Sequence, residues 1–131
     1  MTEKRVIIDC DTGVDDAMAL MLALRSPALE VLGITAVAGN ATLDKVVRNT
    51  LLVVEQAQRD VPVYPGAVRP LMDAWTTAEN AHGSDGLGDV GFPDPQSSAA
   101  DTHAVDYLIE TFMEAQEPIH LITLEIGRAS C

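Results

Sequence analysis

The sequence predicts an α/β fold, in which an open and mostly parallel sheet is flanked by helices. Two observations predict it. Short β-branched apolar segments alternate with longer segments whose apolar residues repeat at helical spacing. The first apolar segment is also uninterrupted, which is typical of a strand buried on both faces of a parallel sheet. The 131 residues, of which 47% are hydrophobic, suffice for one domain with a core.

The first half of the chain is predicted to form strand, helix, strand and helix. Arg5–Asp11 is the short apolar strand. Asp15–Arg25 is apolar almost all round, so we expect a largely buried helix there. Leu29–Ala38 is rich in β-branched residues and predicts the second strand. Leu43–Arg59 places apolar residues on one face and most charges on the other, which indicates an amphipathic helix.

The second half predicts a strand, a long connection, a helix and a last strand. Val61–Tyr64 is the short third strand, and Pro65–Ala100 is rich in Gly, Pro, Asp and Ser. A connection of this length is usually functional or mobile. Asp101 is expected to cap the next helix, which ends before Pro118. Ile119–Leu124 then predicts the fourth strand.

Composition excludes several classes of protein. The formal net charge is -12, which argues against a nucleic-acid partner because such a partner needs a basic face. No apolar run is long enough to span a bilayer, so we expect no membrane partner. Cys10 and Cys131 are too few for a disulfide framework. These features lead us to expect a cytoplasmic protein.

An acidic segment follows the first predicted strand. Asp9 and Asp11 are two residues apart at the strand end, so their side chains share a face. Gly13 permits a tight turn, and Asp15 and Asp16 then fall in the first helical turn. In open parallel sheets, ligands bind at the carboxyl ends of the strands. The four carboxylates therefore lie where a binding site is expected.

Crowded carboxylates need something to offset their repulsion. Two like charges about 4 Å apart repel by about 4 kcal/mol at an effective dielectric constant of about 20. Raised pKa values, the dipole of a helix N-terminus, or a bound Ca²⁺ or Mg²⁺ ion could each offset it. Asp15 and Asp16 alone would be explained by the helix start. All four carboxylates together favour a metal site.

Five segments resemble the inosine/uridine-preferring nucleoside hydrolases. The first, DCDTGVDDA, is similar to the N-terminal signature of that family, D-x-D-P-G-x-D-D-A, with Thr12 in place of the Pro. The others are ITAVAGN (34–40), TLDKVVRN (42–49), AHGSDGLG (81–88) and HAVDYLIE (103–110). The resemblance covers Val6 to about Leu124, and it implies the family's Rossmann-like α/β fold in truncated form.

The resemblance also implies a reaction. Nucleoside hydrolases cleave the N-glycosidic bond of ribonucleosides to give ribose and a free base, using a tightly held Ca²⁺. By position, Asp11 resembles a calcium ligand that also acts as the general base on water. Asp16 resembles the second, bidentate ligand, and Asp9 is expected to support the cluster. Anionic groups beside the sugar would stabilise an oxocarbenium-like transition state.

Three further residues resemble positions that contact the nucleoside. Asp15 resembles the carboxylate that accepts a hydrogen bond from the ribose 2′-hydroxyl. Asn40 resembles the sugar-contacting Asn, although a Gly-Asn pair also shapes turns. His82 resembles the loop His near the nucleoside pocket, although a His in a Gly-rich loop is more often a surface residue. We expect a small nucleoside as the partner, and a homo-oligomer, dimer or tetramer, for the full-length protein.

The chain is shorter than the family pattern. Members are well over twice as long, and their later part supplies more calcium ligands and the groups that assist the leaving base. Residues 1–124 are therefore predicted to be the N-terminal part of a nucleoside hydrolase domain, without useful catalysis alone. Residues 125–131, EIGRASC, depart from the pattern and can be encoded by a string that matches a common sequencing adapter. We predict that they form a non-native tail.

Two alternatives remain open at this point. Magnesium-dependent phosphohydrolases of the haloacid dehalogenase type also place two Asp after the first strand, although they lack the D-D-A helix start. A non-catalytic calcium-binding module would also use these carboxylates, since a fold does not imply an activity.

Overall fold

The computed structural model describes residues 3–70 and 76–125, and its core is a four-stranded sheet. The strands are β1 (Lys4–Cys10), β2 (Leu29–Ala36), β3 (Val63–Pro65) and β4 (His120–Thr123). They lie in the order β3-β2-β1-β4, and every neighbouring pair is parallel. The parallel α/β fold predicted from the sequence is confirmed.

Helices connect the strands. They are α1 (Val14–Arg25), α2 (Leu43–Gln56), the short α3 (Glu79–His82) and α4 (Ala104–Glu114). Helices α1 and α2 pack against each other and against β2. Helix α4 contacts β3, where the ring of Tyr107 stacks on Tyr64 with centroids 3.7 Å apart. Within residues 3–70 and 76–125, no helix is both long and apolar enough to cross a membrane.

Strand β1 is central, because β2 and β4 pair with its two edges. It is buried from Val6 to Cys10, as its uninterrupted apolar sequence predicts. Asp9 pairs in register with Thr35 of β2 and with Thr123 of β4. The end of β1 is therefore enclosed on both sides by neighbouring strands.

Helix α1 is less buried than its composition predicts. Its packed face consists of four residues: Asp16, Leu20, Ala23 and Leu24. On the opposite face, Met18 is 72% exposed and Leu22 is 75% exposed. The expectation of a largely buried helix is wrong, because only one side of α1 meets other described residues.

Several predicted boundaries also differ. Helix α4 begins at Ala104, and its cap is His103 rather than Asp101, because the imidazole Nδ1 accepts the N–H of Val105 at 3.2 Å. Helix α2 ends at Gln56, before Gln58 takes a φ of 55°.

The bounds of β2 and β3 also differ from the prediction. Strand β2 ends at Ala36, and β3 is shifted to Val63–Pro65. Helix α3 lies inside the segment predicted to be a long connection. Residues 126–131 of the predicted tail lie outside the described residues.

The one-sided packing of α1 makes a testable prediction. Leu20→Ala removes a side chain that is 0% exposed, and should lower the free energy of unfolding by about 2–5 kcal/mol. The matched change Leu22→Ala, on the exposed face, should alter it by less than about 0.5 kcal/mol. Urea unfolding of both variants checks this, and an equal loss in the two would contradict the observed packing.

Candidate active site

Three buried carboxylates lie together where β1 ends and α1 begins. Asp9 is on β1, Asp11 follows the strand, and Asp16 is in the first turn of α1. These residues are 4%, 3% and 6% exposed, respectively. We call these three the acidic cluster, and residues 11–16 the acidic turn. Asp15 also lies in this turn, but its side chain is 78% exposed.

The strand end holds Asp16 beside Asp11. The backbone N–H of Asp11 donates to Oδ2 of Asp16 at 3.2 Å. Since Asp16 lies in the first turn of α1, the dipole of that helix also favours its negative charge. These two effects keep the carboxylate of Asp16 close to its acidic neighbour.

The turn after β2 holds Asp11 from the other side. The backbone N–H of Asn40 donates to Oδ2 of Asp11 at 2.7 Å, and its side-chain amide donates to the carbonyl oxygen of Asp11 at 3.2 Å. Gly39 permits this approach, because a Cβ at that position would lie 2.1 Å from Oδ2 of Asp11. Asn40 therefore shapes the turn and positions the carboxylate at the same time.

Asp9 lies behind this pair and is incompletely bonded. Its Oδ1 accepts the hydroxyl of Thr35, the residue with which it pairs on β2. Its Oδ2 is buried and has no hydrogen-bond partner within the described part of the chain. A buried carboxylate oxygen without a hydrogen-bond partner costs free energy of folding. Binding of a proton or a cation by the cluster would reduce that cost.

Burial raises the pKa of all three carboxylates. It raises the pKa of Asp9 to about 6, opposed by the Thr35 hydroxyl and reinforced by the charge of Asp11. Burial raises the pKa of Asp11, with the adjacent Asp16 adding to the effect. Burial also raises the pKa of Asp16. The fully charged cluster is therefore unfavourable unless positive charge accompanies it.

His82 meets the acidic turn from a distant part of the sequence. Its Nδ1 accepts the backbone N–H of Val14 at 3.2 Å, and the same atom is 3.8 Å from Oδ1 of Asp15. The structure thus brings all six predicted site residues to one edge of the sheet. The three acids of the cluster face inward, whereas Asp15 is open to solvent.

The carboxylates of the acidic cluster are suitable ligands for a hard cation, but they are too few to complete its coordination shell. Carboxylate oxygens are the ligands that Ca²⁺ and Mg²⁺ prefer, and Asp11 and Asp16 supply them side by side. Across residues 3–70 and 76–125, no group of three or more His, Cys, Asp or Glu side chains is arranged to hold a metal ion. These two carboxylates would thus provide only part of a coordination shell, since Ca²⁺ takes six to eight oxygens.

Two polar side chains that support the site are not among the site residues predicted from the sequence. Thr35 is buried on β2 and bonds Asp9, and Asn49 is buried on α2. Each is a polar residue among apolar ones on a packed face. Asn49, for example, lies three residues after the buried Val46. That signal, a polar residue at a core position, identifies both.

Comparison with known proteins identifies the family. The family model of the inosine-uridine preferring nucleoside hydrolases matches residues 6–127. The chain belongs to this family. The resemblance drawn from the sequence motifs is confirmed. The family match argues against the alternative of a phosphohydrolase of the haloacid dehalogenase type.

Named relatives agree with this membership. This nucleoside hydrolase chain is 44% identical over 122 residues to the pyrimidine-specific ribonucleoside hydrolase RihB of Escherichia coli (strain SE11). The match covers 93% of this chain and 39% of that relative. The chain therefore spans well under half the length of the curated relatives it matches.

Solved structures show the same fold. The purine-preferring ribonucleoside hydrolase from Gardnerella vaginalis superimposes with a TM-score of 0.85 at 34% identity, covering 92% of this chain and 40% of the other. The plant nucleoside hydrolase PpNRh1 superimposes with a TM-score of 0.86 at 38% identity, covering 92% of this chain and 39% of the other.

The raised pKa of Asp9 predicts how stability depends on pH. Its folded value of about 6 exceeds its ordinary value of 3.8, so the folded state binds more protons between these values. Without divalent cations, stability should therefore fall as pH rises from about 4 to about 6. Asp9→Asn keeps the side-chain shape and should stabilise the chain at pH 7.5 by about 1–3 kcal/mol.

Thermal unfolding in a chelator, measured from pH 4 to pH 8, tests this stability effect. Asp106→Asn removes an exposed carboxylate on α4 and serves as the matched control, with little expected change. A destabilised Asp9→Asn variant at pH 7.5 would show that the buried charge is satisfied in the folded chain.

Proposed function

We propose that the complete protein is a calcium-dependent ribonucleoside hydrolase in which Asp11 activates the attacking water. The observation that carries the proposal is Asp11 itself, buried at the sheet edge and held by Asn40 on one side and Asp16 on the other. Family membership supplies the reaction class, since the named relatives are ribonucleoside hydrolases. Their names differ in base preference, so the proposal covers ribonucleosides as a class.

Asp11 and Asp16 would hold the cation, and Asp9 would support them. Calcium, when bound, would orient the sugar diol and make a bound water more acidic. The unpartnered Oδ2 of Asp9 and the raised pKa values of all three residues support a site that lacks positive charge. Asp11 would take the proton of the water, because burial raises the pKa of its carboxyl group and the Asn40 N–H fixes its orientation.

Asp15, Asn40 and His82 would face the nucleoside. The exposed carboxylate of Asp15 is free to accept a hydroxyl of the ribose, as the resemblance implies. Asn40 is only half-buried, and His82 lies against the start of α1. Negative charge around the sugar would stabilise the positive charge that develops as the glycosidic bond breaks.

The proposal extends to where and how the protein works. We propose a cytoplasmic enzyme of purine and pyrimidine salvage that forms a homo-oligomer, a dimer or tetramer. The sequence has too few cysteines for a disulfide framework, which supports a reducing compartment. Cys10 is a buried free thiol whose pKa burial raises to about 12. Such a thiol is unreactive and needs no disulfide partner.

The test is ribose release by the protein expressed from the complete open reading frame. Inosine and uridine should both be assayed, with and without a calcium chelator. Asp11→Asn should lower kcat by about 10²–10⁴-fold, because it removes the general base. Asp106→Asn, the exposed matched control, should retain activity.

The outcomes separate the alternatives. Calcium binding without ribose release would identify a non-catalytic calcium module. Ribose release that survives the chelator would contradict the calcium dependence. Full activity of the Asp11→Asn variant would show that Asp11 is not the general base.

A separate prediction concerns the 131-residue chain alone. It spans 39% of the length of its relatives and supplies two adjacent carboxylates toward the cation. We expect no measurable ribose release from it, even with calcium in excess. Turnover by the purified chain, if abolished by Asp11→Ala, would prove this expectation wrong.

A further inference from the structure

The segment from His82 to Asp89, here called the His82 loop, is organised by its own carboxylates. Oδ1 of Asp89 accepts the Ser84 hydroxyl and the backbone N–H of Asp85, and Oδ2 accepts the backbone N–H of Ser84. Oδ1 of Asp85 accepts the N–H groups of Leu87 and Asp89. These hydrogen bonds within the loop fix its conformation, so a few contacts from other segments are enough to position the whole loop.

Asn49 of α2 holds this unit against the acidic turn. It is 0% exposed, and its Nδ2 donates to the carbonyl oxygen of Asp85 at 2.8 Å and to that of Thr12 at 3.4 Å. One amide group thus bridges the His82 loop and the segment that carries Asp11 and Asp16. Gly86 lets the loop come this close, because a Cβ there would lie 2.8 Å from Nδ2 of Asn49.

A second contact lies one turn earlier on α2. Nζ of Lys45 donates to the carbonyl oxygen of Ser84 at 2.6 Å and to Oε1 of Glu79 at 3.2 Å. The Lys45 side chain is 37% exposed, whereas Asn49 is in the interior. Interior hydrogen bonds are harder for water to replace, so the Asn49 contact should hold the loop against the acidic turn more firmly than the Lys45 contact does.

Asn49 does more than fill space in the core. Its Oδ1 is buried with no hydrogen-bond partner within the described residues, a cost that an apolar side chain of similar size would avoid. The amide is therefore explained by what its N–H groups bind, the two carbonyl oxygens of Thr12 and Asp85.

We propose that Asn49 is a positioning residue that docks the His82 loop on the acidic turn and so sets the affinity for the nucleoside. The link to the site is His82, at the start of the loop, whose Nδ1 accepts the N–H of Val14. The part of this inference that concerns affinity rests on the proposed function. The part that concerns docking does not.

Hydrogen exchange tests docking in the protein expressed from the complete open reading frame. Asn49→Leu should speed exchange of the amides of residues 83–89 by at least about tenfold, with the amides of β1 unchanged. Arg48→Ala is the matched control, because Arg48 holds a different segment through Phe92 and Asp94. Unchanged exchange in Asn49→Leu would overturn the inference.

Kinetics test the consequence for substrate. Asn49→Leu should raise KM for inosine or uridine by about tenfold while kcat changes by less than about threefold. Gly86→Ala should do the same, because its Cβ pushes the loop from Asn49 and its φ is +79°. The double variant should stay within about twofold of either single variant, since both act at one contact.

The results discriminate between roles. A fall in thermal stability with KM unchanged would show that Asn49 only supports the core and would overturn its role in affinity. KM effects that multiply in the double variant would show that Asn49 and Gly86 act independently, and would overturn the contact between Asn49 and the loop as the cause of the change in KM. Absence of ribose release from the unmodified protein would overturn the proposed function. Faster loop exchange in Asn49→Leu would still support the docking role in that case.

Discussion

Removal of the carboxylates of Asp9, Asp11 and Asp16 from water is the constraint on which the rest of the site depends. Burial raises the pKa of each one, and their mutual repulsion adds to the cost. The folded chain offsets part of it with donors from separate segments, namely the Asp11 and Asn40 backbones and the Thr35 hydroxyl. The acidic cluster therefore depends on these segments being in register.

The sheet order makes that register possible. Strand β1 is central, so residues at its end are reached from β2 on one side and enclosed by β4 on the other. The turn after β2 brings Gly39 and Asn40 against Asp11, and α2 brings Asn49 against the loop that carries His82. The acids of the cluster are buried and Asp15 is exposed, so the two groups differ in access to solvent. The proposed function assigns the cation to the buried acids and the sugar to Asp15.

Much of this arrangement follows from the sequence. The uninterrupted apolar strand before Asp9 predicts a buried parallel strand, and its carboxyl end predicts where the acids meet. Two-residue spacing places Asp9 and Asp11 on one face, and the helix start brings Asp16 back beside them. These predictions depend on local geometry, which spacing along the chain specifies.

Features that depend on distant contacts could not be predicted in the same way. The apolar composition of α1 does not show that Met18 and Leu22 face away from the packed side. The bridging role of Asn49 needs α2, the acidic turn and the His82 loop together, and no spacing within one segment encodes that meeting.

A crystal structure of the complete protein grown with calcium would test the central claim most directly. The proposed cation site predicts an anomalous peak at about 2.3–2.6 Å from carboxylate oxygens of both Asp11 and Asp16. A peak elsewhere, or saturating calcium with no peak beside these carboxylates, would contradict the assignment of the acidic cluster as the cation site.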